Sequence, residues 1–232
     1  MYRALLVDFY GTLVAEDDVL VARIAQQIVA ASGHGVSASD VSSRWHRRFL
    51  ELCAACHGAQ FRTQREIELE SLTETARDYD ASVDVAALAD EMFAYWAAPT
   101  PLDGAAAFLR EYAGPVCVVS NIDTAELHAA IRGLGWEFEH VVTSEGCRAY
   151  KPRAEMFLSA LAALGCAASE VLHVGDSLGS DVAGAARLGI DVAWVNAANR
   201  ALLDSHEPRP RHTVRSVVEL APLLSSRRSR PR

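Results

Sequence analysis

The sequence predicts an α/β fold built on a parallel β-sheet, with an all-helical segment inserted after the first strand. Short apolar segments alternate with helical segments from residue 105 onward, which is typical of a parallel sheet covered on both faces. A similar apolar run at residues 4–7 stands far upstream of them. Only helical periodicity occurs between residues 19 and 96, so the first strand joins the later strands across a helical insertion.

The elements are predicted in order along the chain. The first strand ends at Asp8 and leads into the turn at residues 9–12, where Gly11 can adopt backbone angles that other residues avoid. Pro99-Thr100-Pro101 ends the helical insertion. The later strands are predicted at residues 115–119, 140–143, 170–174 and 191–195, and the helices between them at 105–112, 124–134, 153–164 and 181–188.

Composition restricts the class of protein. The 232 residues are half hydrophobic and carry a net charge of −8, so a core is expected and nucleic acid is not an expected partner. No apolar run is long enough to cross a membrane, and no export signal is evident. Five cysteines, an odd number, favour reduced thiols and a cytoplasmic location. The basic tail, residues 225–232, is expected to be disordered.

Polar residues collect where the predicted strands end. Because the carboxyl ends of parallel strands meet at one edge of a sheet, these side chains are expected to converge on one site. Four segments supply them: Asp8-Phe9-Tyr10-Gly11-Thr12, Ser120-Asn121, Lys151-Pro152, and Gly175-Asp176-Ser177-Leu178-Gly179-Ser180-Asp181.

These four motifs, in this order, resemble the haloacid dehalogenase (HAD) superfamily of aspartate-nucleophile hydrolases. The resemblance implies a Rossmann-like parallel-sheet core formed by residues 1–14 and 98–224. It also implies that the helical insertion, residues 15–97, is the cap domain that covers the active site in this superfamily. The expected enzyme is therefore a hydrolase that acts on a small molecule.

The resemblance also implies a role for each motif residue. Asp8 is expected to be the nucleophile and to form a covalent aspartyl intermediate. Lys151 is expected to keep Asp8 ionised and to neutralise charge on the substrate. Ser120 and Asn121 are expected to donate hydrogen bonds to a substrate oxygen, and Thr12 to orient the loop or to donate to the same oxygens.

A magnesium ion is the expected cofactor. In HAD phosphatases Mg²⁺ bridges the nucleophile, an acid of the fourth motif and a main-chain carbonyl. The corresponding ligands here are Asp8, Asp176, Asp181 and the carbonyl of Tyr10. Without a cation, three carboxylates face one lysine, which disfavours a further anion in the pocket, whereas bound Mg²⁺ makes an anionic substrate acceptable.

Tyr10 departs from the phosphatase pattern, which has a second aspartate at this position to protonate the leaving group. Asp-x-Tyr-Gly-Thr looks like the 2-haloacid dehalogenases, which work without metal because a halide leaves without a proton. A phenol is a poor acid–base catalyst near neutral pH. A packing role for Tyr10 is the alternative to a catalytic one, and the sequence leaves both roles open.

The remaining residues favour one of two activities and leave the other as an alternative. The two acids of the fourth motif favour a Mg²⁺-dependent phosphatase of a small phosphorylated metabolite. A dehalogenase would use a cap arginine just after a tryptophan, but Trp45 is followed by His46, and Arg47 lies one position later, about 100° around a helix. His46 and Arg47 are the candidate cap residues for binding substrate. A metal-independent 2-haloacid dehalogenase and a catalytically weak scaffold that binds a metabolite remain the alternatives, and the protein is expected to be a monomer or a homodimer.

Overall fold

Six parallel strands form one sheet at the centre of the molecule. The computed structural model describes residues 2–33, 35–203 and 205–225, and for Ser225 it describes the backbone only. The strand order is β3-β2-β1-β4-β5-β6, so β1 lies in the middle of the sheet. The strands are β1 (Ala4–Val7), β2 (Val116–Ser120), β3 (His140–Thr143), β4 (Val171–Gly175), β5 (Asp191–Val195) and β6 (His212–Val214). The predicted parallel-sheet α/β fold is confirmed.

The sheet is buried on both faces, and its middle strand β1 is apolar at every position. In β1, Leu5 and Val7 belong to the core on one face, whereas Ala4 and Leu6 belong to the core on the other. Successive side chains of a strand point to opposite faces, so a continuous apolar run fits a strand that is covered twice.

The described chain contains ten α-helices, and four of them lie between β1 and Pro99. These four, called the cap helices below, are α1 (Asp18–Ala31), α2 (Ala38–Ala55), α3 (Gln64–Asp78) and α4 (Val85–Ala97). The others are α5 (Ala105–Glu111), α6 (Thr124–Leu134), α7 (Ser144–Cys147), α8 (Ala154–Leu164), α9 (Ala183–Ala186) and α10 (Ala221–Ser225).

The cap helices are joined to the sheet end by polar contacts at the start of α3. Asp123, which precedes α6, accepts hydrogen bonds from the amides of Gln64 and Arg65 at 2.8 and 3.0 Å. The guanidinium of Arg65 also lies 2.7 Å from Glu126. An acid at a helix N-terminus satisfies amides that have no partner within the helix. These contacts place the cap helices over the carboxyl ends of the strands, while the domain boundaries at residues 14 and 98 remain a prediction.

Three details differ from the sequence-based expectation. Strand β6 was not predicted, because it is only three residues long and follows the polar segment 207–211. The helix expected from Asp181 begins instead with a π-helical turn, Leu178–Val182, before α9. The predicted disordered tail lies, apart from the backbone of Ser225, outside the described residues.

None of the helices in the described part of the chain combines the length and the apolar character that spanning a bilayer requires.

Candidate active site

The central strand delivers Asp8 to the edge of the sheet where the predicted motifs meet. Its amide donates a 2.8 Å hydrogen bond to the carbonyl of Val174 in β4, which continues the strand pairing one residue beyond β1. Gly11, with a φ of +76°, then turns the chain. A Cβ on Gly11 would lie 2.7 Å from both the Asp176 carboxyl carbon and a Glu16 carboxylate oxygen, so only glycine lets this loop approach them.

Lys151 connects two carboxylates beneath the site. Its ammonium lies 2.5 Å from Asp8 Oδ1 and 2.7 Å from Asp181 Oδ1, and all three side chains are buried. Burial lowers the pKa of Lys151, but the attraction of Asp181 and Asp8 outweighs this effect and raises it above its ordinary value. A permanently charged lysine is therefore shared between the candidate nucleophile and the last acid of the fourth motif.

Asp181 is held as an anion by a set of donors. His173 Nε2 lies 2.9 Å from its Oδ1, and the amide of Ser177 donates to its Oδ2 at 3.1 Å. Burial alone would raise the pKa of Asp181. The charge of Lys151 and the hydrogen bond with His173 have a larger opposite effect, so the pKa lies below its ordinary value. His173 is not predicted from the sequence, because it lies inside strand β4, where a lone histidine has no distinguishing pattern.

Three carboxylates form a candidate divalent-cation site. Single oxygens of Asp8, Asp176 and Asp181 lie within 4.8 Å of one another. Burial raises the pKa of Asp8 to about 7, with Asp181 and Asp176 adding to the shift and Lys151 opposing it. Burial and Asp181 raise the pKa of Asp176 to about 6. Oxygen ligands that repel one another at this spacing fit the chemistry of Mg²⁺, which would relieve the repulsion.

The main chain of Asp176 anchors the fourth motif to the neighbouring strand. Its carbonyl accepts 2.8 Å hydrogen bonds from the indole of Trp194 in β5 and from the guanidinium of Arg200. The loop after β4 is thereby tied to the neighbouring strand, and the Asp176 side chain remains directed toward the loop at Gly11.

The phenol of Tyr10 points away from this cluster toward the cap. Its hydroxyl donates a hydrogen bond to the main-chain carbonyl of Trp96 in α4. Burial, with smaller effects of Glu126 and Tyr95, raises the pKa of Tyr10 far above its ordinary value. A phenol whose hydroxyl donates a hydrogen bond to another group, and which resists ionisation, cannot replace an acid–base carboxyl. The structure thus places the Tyr10 side chain in a positioning contact, and the use of its carbonyl as a metal ligand stays a prediction.

The three other predicted polar residues lie close to Asp8 and Lys151. The hydroxyl of Thr12 donates to Asp8 Oδ2 at 3.3 Å. Ser120, at the end of β2, is buried and lines the site. The side chain of Asn121 accepts from the amide of Lys151 at 2.6 Å and donates to its carbonyl at 3.2 Å. Asn121 therefore holds the main chain of Lys151, and a direct contact with substrate stays a prediction.

A cavity of about 590 Å³ lies between this cluster and the cap helices. Its floor contains Asp8, Lys151 and Asp176, and its cap wall is largely apolar, with Phe49 and Leu50 of α2. His46 lines the cavity, whereas the exposed Arg47 is not among the lining residues of the described chain. Of the two predicted cap residues, the structure brings only His46 to the site.

Two acids that the sequence analysis did not select also line the cavity. Glu16 and Asp17 follow the first motif and precede α1. Removal from bulk water, together with the charge of Asp176, raises the pKa of Glu16 well above its ordinary value. The run of acids at residues 16–18 was the available signal, but a charged run is normally a solvated surface.

Comparison with known proteins agrees with this arrangement. A family model described as haloacid dehalogenase-like hydrolase matches residues 2–189. Haloacetate dehalogenase H-2 of Moraxella sp. (strain B) is 28% identical over 200 residues, covering 84% of this chain and 85% of its own. The 5-amino-6-(5-phospho-D-ribitylamino)uracil phosphatase YigB of Escherichia coli (strain K12) is 33% identical over 94 residues, 40% of each chain. A crystal structure of a dehalogenase superposes with a TM-score of 0.76 and 25% identity, covering 96% of both chains.

Proposed function

The chain belongs to the haloacid dehalogenase-like hydrolases, and from its site we propose that it is a Mg²⁺-dependent phosphatase of a small phosphorylated molecule. The cluster of Asp8, Asp176 and Asp181 carries this proposal, because three carboxylates within 4.8 Å need more positive charge than Lys151 supplies. An anionic substrate would add to the repulsion. A divalent cation removes both difficulties.

Asp8 is the proposed nucleophile. In the reaction its carboxylate oxygen forms a bond to phosphorus while the bond from phosphorus to the ester oxygen breaks, and the alcohol leaves as its oxyanion, which takes a proton from solvent. Water then attacks the aspartyl phosphate, which releases phosphate and regenerates Asp8. When bound to Asp8, Asp176 and Asp181, with the Tyr10 carbonyl as a further ligand, Mg²⁺ supplies charge neutralisation at the phosphoryl oxygens. Lys151 keeps Asp8 oriented through their 2.5 Å ion pair.

The remaining motif residues are proposed to position these groups. Thr12 donates a hydrogen bond to Asp8 Oδ2, and Lys151 donates one to Asp8 Oδ1, so both carboxylate oxygens are held in place. Asn121 holds the main chain of Lys151, and Ser120 is the proposed hydrogen-bond donor to a phosphoryl oxygen. The contacts of Thr12 and Asn121 restrain Asp8 and Lys151 before substrate arrives, which lowers the cost of orientation.

Tyr10 has a consequence for substrate choice. Because its phenol is bound to the Trp96 carbonyl and its pKa is raised by burial, it cannot protonate the leaving group. The proposed phosphatase therefore favours leaving groups that need little protonation, such as aryl alcohols and alcohols whose oxyanion is stabilised by a nearby ammonium group.

A fluorogenic aryl phosphate tests the proposal directly. We expect Mg²⁺-dependent phosphate release that EDTA stops, and a loss of at least about a thousandfold in Asp8→Asn. Asp103→Asn, which changes an exposed aspartate outside the cavity, is the matched control and should keep full activity. Activity that persists in Asp8→Asn, or that is unchanged in EDTA, would contradict the proposal.

A second candidate function is metal-independent 2-haloacid dehalogenation. Two observations favour it: Tyr10 in the first motif, and the alignment of haloacetate dehalogenase H-2 over 84% of the chain. Against it, the position after Trp45 is His46, and the cavity shows only Lys151 and Arg153 as lysine or arginine among its described lining residues. Chloride release from 2-chloropropionate in the presence of EDTA would support the dehalogenase, and silence in both assays would leave a metabolite-binding scaffold.

The cytoplasm is the proposed compartment. Its support is that all five cysteines, Cys53, Cys56, Cys117, Cys147 and Cys166, are free thiols.

A further inference from the structure

A smaller side cavity adjoins the main cavity within the cap. It has a volume of about 170 Å³ and shares Glu16, Asp17 and Trp96 with the main cavity. Beyond these shared residues it reaches Trp45 of α2 and Glu68 of α3. A substrate whose phosphoryl group lies at Asp8 can therefore extend its other end toward the cap helices.

The side cavity is rich in acceptors and has few donors. Glu68 is only 4% exposed, and its Oε1 has no hydrogen-bond partner among the described residues. Gln64 Oε1 is in the same situation. Glu16 and Asp17 add two more carboxyl groups and His46 adds an imidazole, while no lysine or arginine occurs among the described lining residues. Unpartnered buried acceptors are unfavourable, so this cavity is suited to a ligand that donates hydrogen bonds or carries positive charge.

Aromatic rings form the rest of the wall. Trp45, Phe49 and Trp96 line the side cavity. The indole N–H groups of both tryptophans are already donated, to Ser71 at 3.1 Å and to Asp17 at 2.9 Å. Their remaining interaction with a ligand is through the ring, whose π-electrons attract cations. Burial raises the pKa of Glu68 to about 8, and a cation bound beside it favours its ionised form. Carboxyl groups combined with aromatic faces therefore distinguish an ammonium group from a neutral hydroxyl.

We propose that this side cavity is an ammonium subsite, so that the substrate is the phosphate monoester of an amino alcohol. The proposal deepens the phosphatase assignment and rests on it for the phosphoryl half of the substrate. The two ends of the substrate are then bound by opposite means, its phosphoryl group at Asp8 and its cationic end beside Glu68. The acidic residues of the cap wall, which oppose an anionic leaving group, become favourable contacts.

The ammonium subsite is tested first by binding, which does not depend on turnover. Choline and its neutral isostere 3,3-dimethylbutan-1-ol are titrated into the wild-type protein, followed by calorimetry and by tryptophan fluorescence, since Trp45 and Trp96 line the cavity. We expect choline to bind at least about tenfold more tightly. Glu68→Gln should remove most of that difference, whereas Glu51→Gln, an exposed position on α2 outside both cavities, should preserve it.

Turnover provides the second measurement. Aminoalkyl phosphates with two to six carbons are compared with alkyl phosphates of the same heavy-atom count. We expect kcat/KM to favour one aminoalkyl length by about tenfold or more, and Glu68→Gln to bring that ratio toward one. The ratio is taken within each variant, so a general loss of activity does not imitate the result.

The outcomes separate this proposal from the proposed function. If aryl phosphate is not hydrolysed, the phosphatase assignment fails, and the choline titration alone decides whether the ammonium subsite exists. If aryl phosphate is hydrolysed but aminoalkyl and alkyl phosphates react equally, the subsite is refuted and the phosphatase stands. Equal binding of choline and its neutral isostere also refutes it.

Discussion

The hydroxyl of Tyr10, two residues after the candidate nucleophile, is bound to the main-chain carbonyl of Trp96 at the end of the last cap helix. The loop that carries Asp8 is thus connected directly to the cap. Tyr95 reinforces the connection, because its hydroxyl lies 2.9 Å from the carbonyls of both Ala15 and Glu16. Tyr10, the residue that departs from the phosphatase pattern, therefore connects the loop of the first motif to cap helix α4.

Replacing Tyr10 by aspartate should supply the missing acid–base group. We expect Tyr10→Asp to raise kcat/KM on alkyl phosphates, whose leaving groups need a proton, by about tenfold or more. Aryl phosphates should gain much less. Steady-state kinetics with one alkyl and one aryl phosphate give the comparison. Tyr10→Asn loses the same contact with Trp96 without adding an acid, so an equal gain in Tyr10→Asn would refute the explanation.

Much of this arrangement could be predicted because it depends on local patterns. The apolar runs located five of the six strands, and the order of the motifs predicted that Asp8, Lys151 and Asp181 converge at one edge of the sheet. The contributions of the cap could not be predicted in the same way. Whether Glu68 faces solvent or a cavity depends on how α3 packs against the other helices, which periodicity alone does not specify.

Side-chain partners were also beyond the sequence. Asn121 belongs to a predicted motif, but its two hydrogen bonds to the Lys151 main chain depend on the approach of two loops that are 30 residues apart. His46 and Arg47 are neighbours in sequence, yet only His46 lines the cavity. Because successive residues of a helix point roughly 100° apart, His46 and Arg47 cannot both face the cavity. Which of the two faces it depends on how α2 packs, and the sequence does not specify that packing.

Removal of the buried lysine should destabilise the protein in a pH-dependent way. Lys151→Met leaves Asp8 and Asp181 buried without their shared cation, which we expect to cost about 3 to 5 kcal/mol of unfolding free energy at pH 8. The loss should shrink toward pH 5, because the unpaired carboxyls can then take up protons. Urea unfolding at both pH values measures it. Arg3→Met, which breaks the exposed ion pair with Glu170, is the control and should change little at either pH.

Magnesium affinity should fall as the pH falls. The pKa of Asp8 is raised to about 7 and that of Asp176 to about 6, so both take up protons below neutrality in the metal-free protein. Mg²⁺ favours the ionised forms, and its binding must therefore release protons. We expect affinity to drop about tenfold or more from pH 8 to pH 6, with proton release at pH 7. Calorimetry in two buffers of different ionisation enthalpy detects both effects. A pH-independent affinity would show that these carboxyls are not ligands.

Glu68 should make the protein less stable as the pH rises. Burial, with a smaller effect of Asp17, raises its pKa from 4.5 to about 8 in the folded state. Between these values the unfolded chain has lost the proton that the folded protein keeps, so the unfolding free energy decreases with increasing pH and levels off above about pH 8. Glu68→Gln carries no titrating proton and should remove this slope. We expect the variant to gain stability over wild type at pH 8.5 but not at pH 4.5, with about 5 kcal/mol as the upper bound at 1.36 kcal/mol per pKa unit. Urea unfolding of both proteins across this range measures the difference, and parallel profiles would show that Glu68 titrates normally and is not buried as the structure places it.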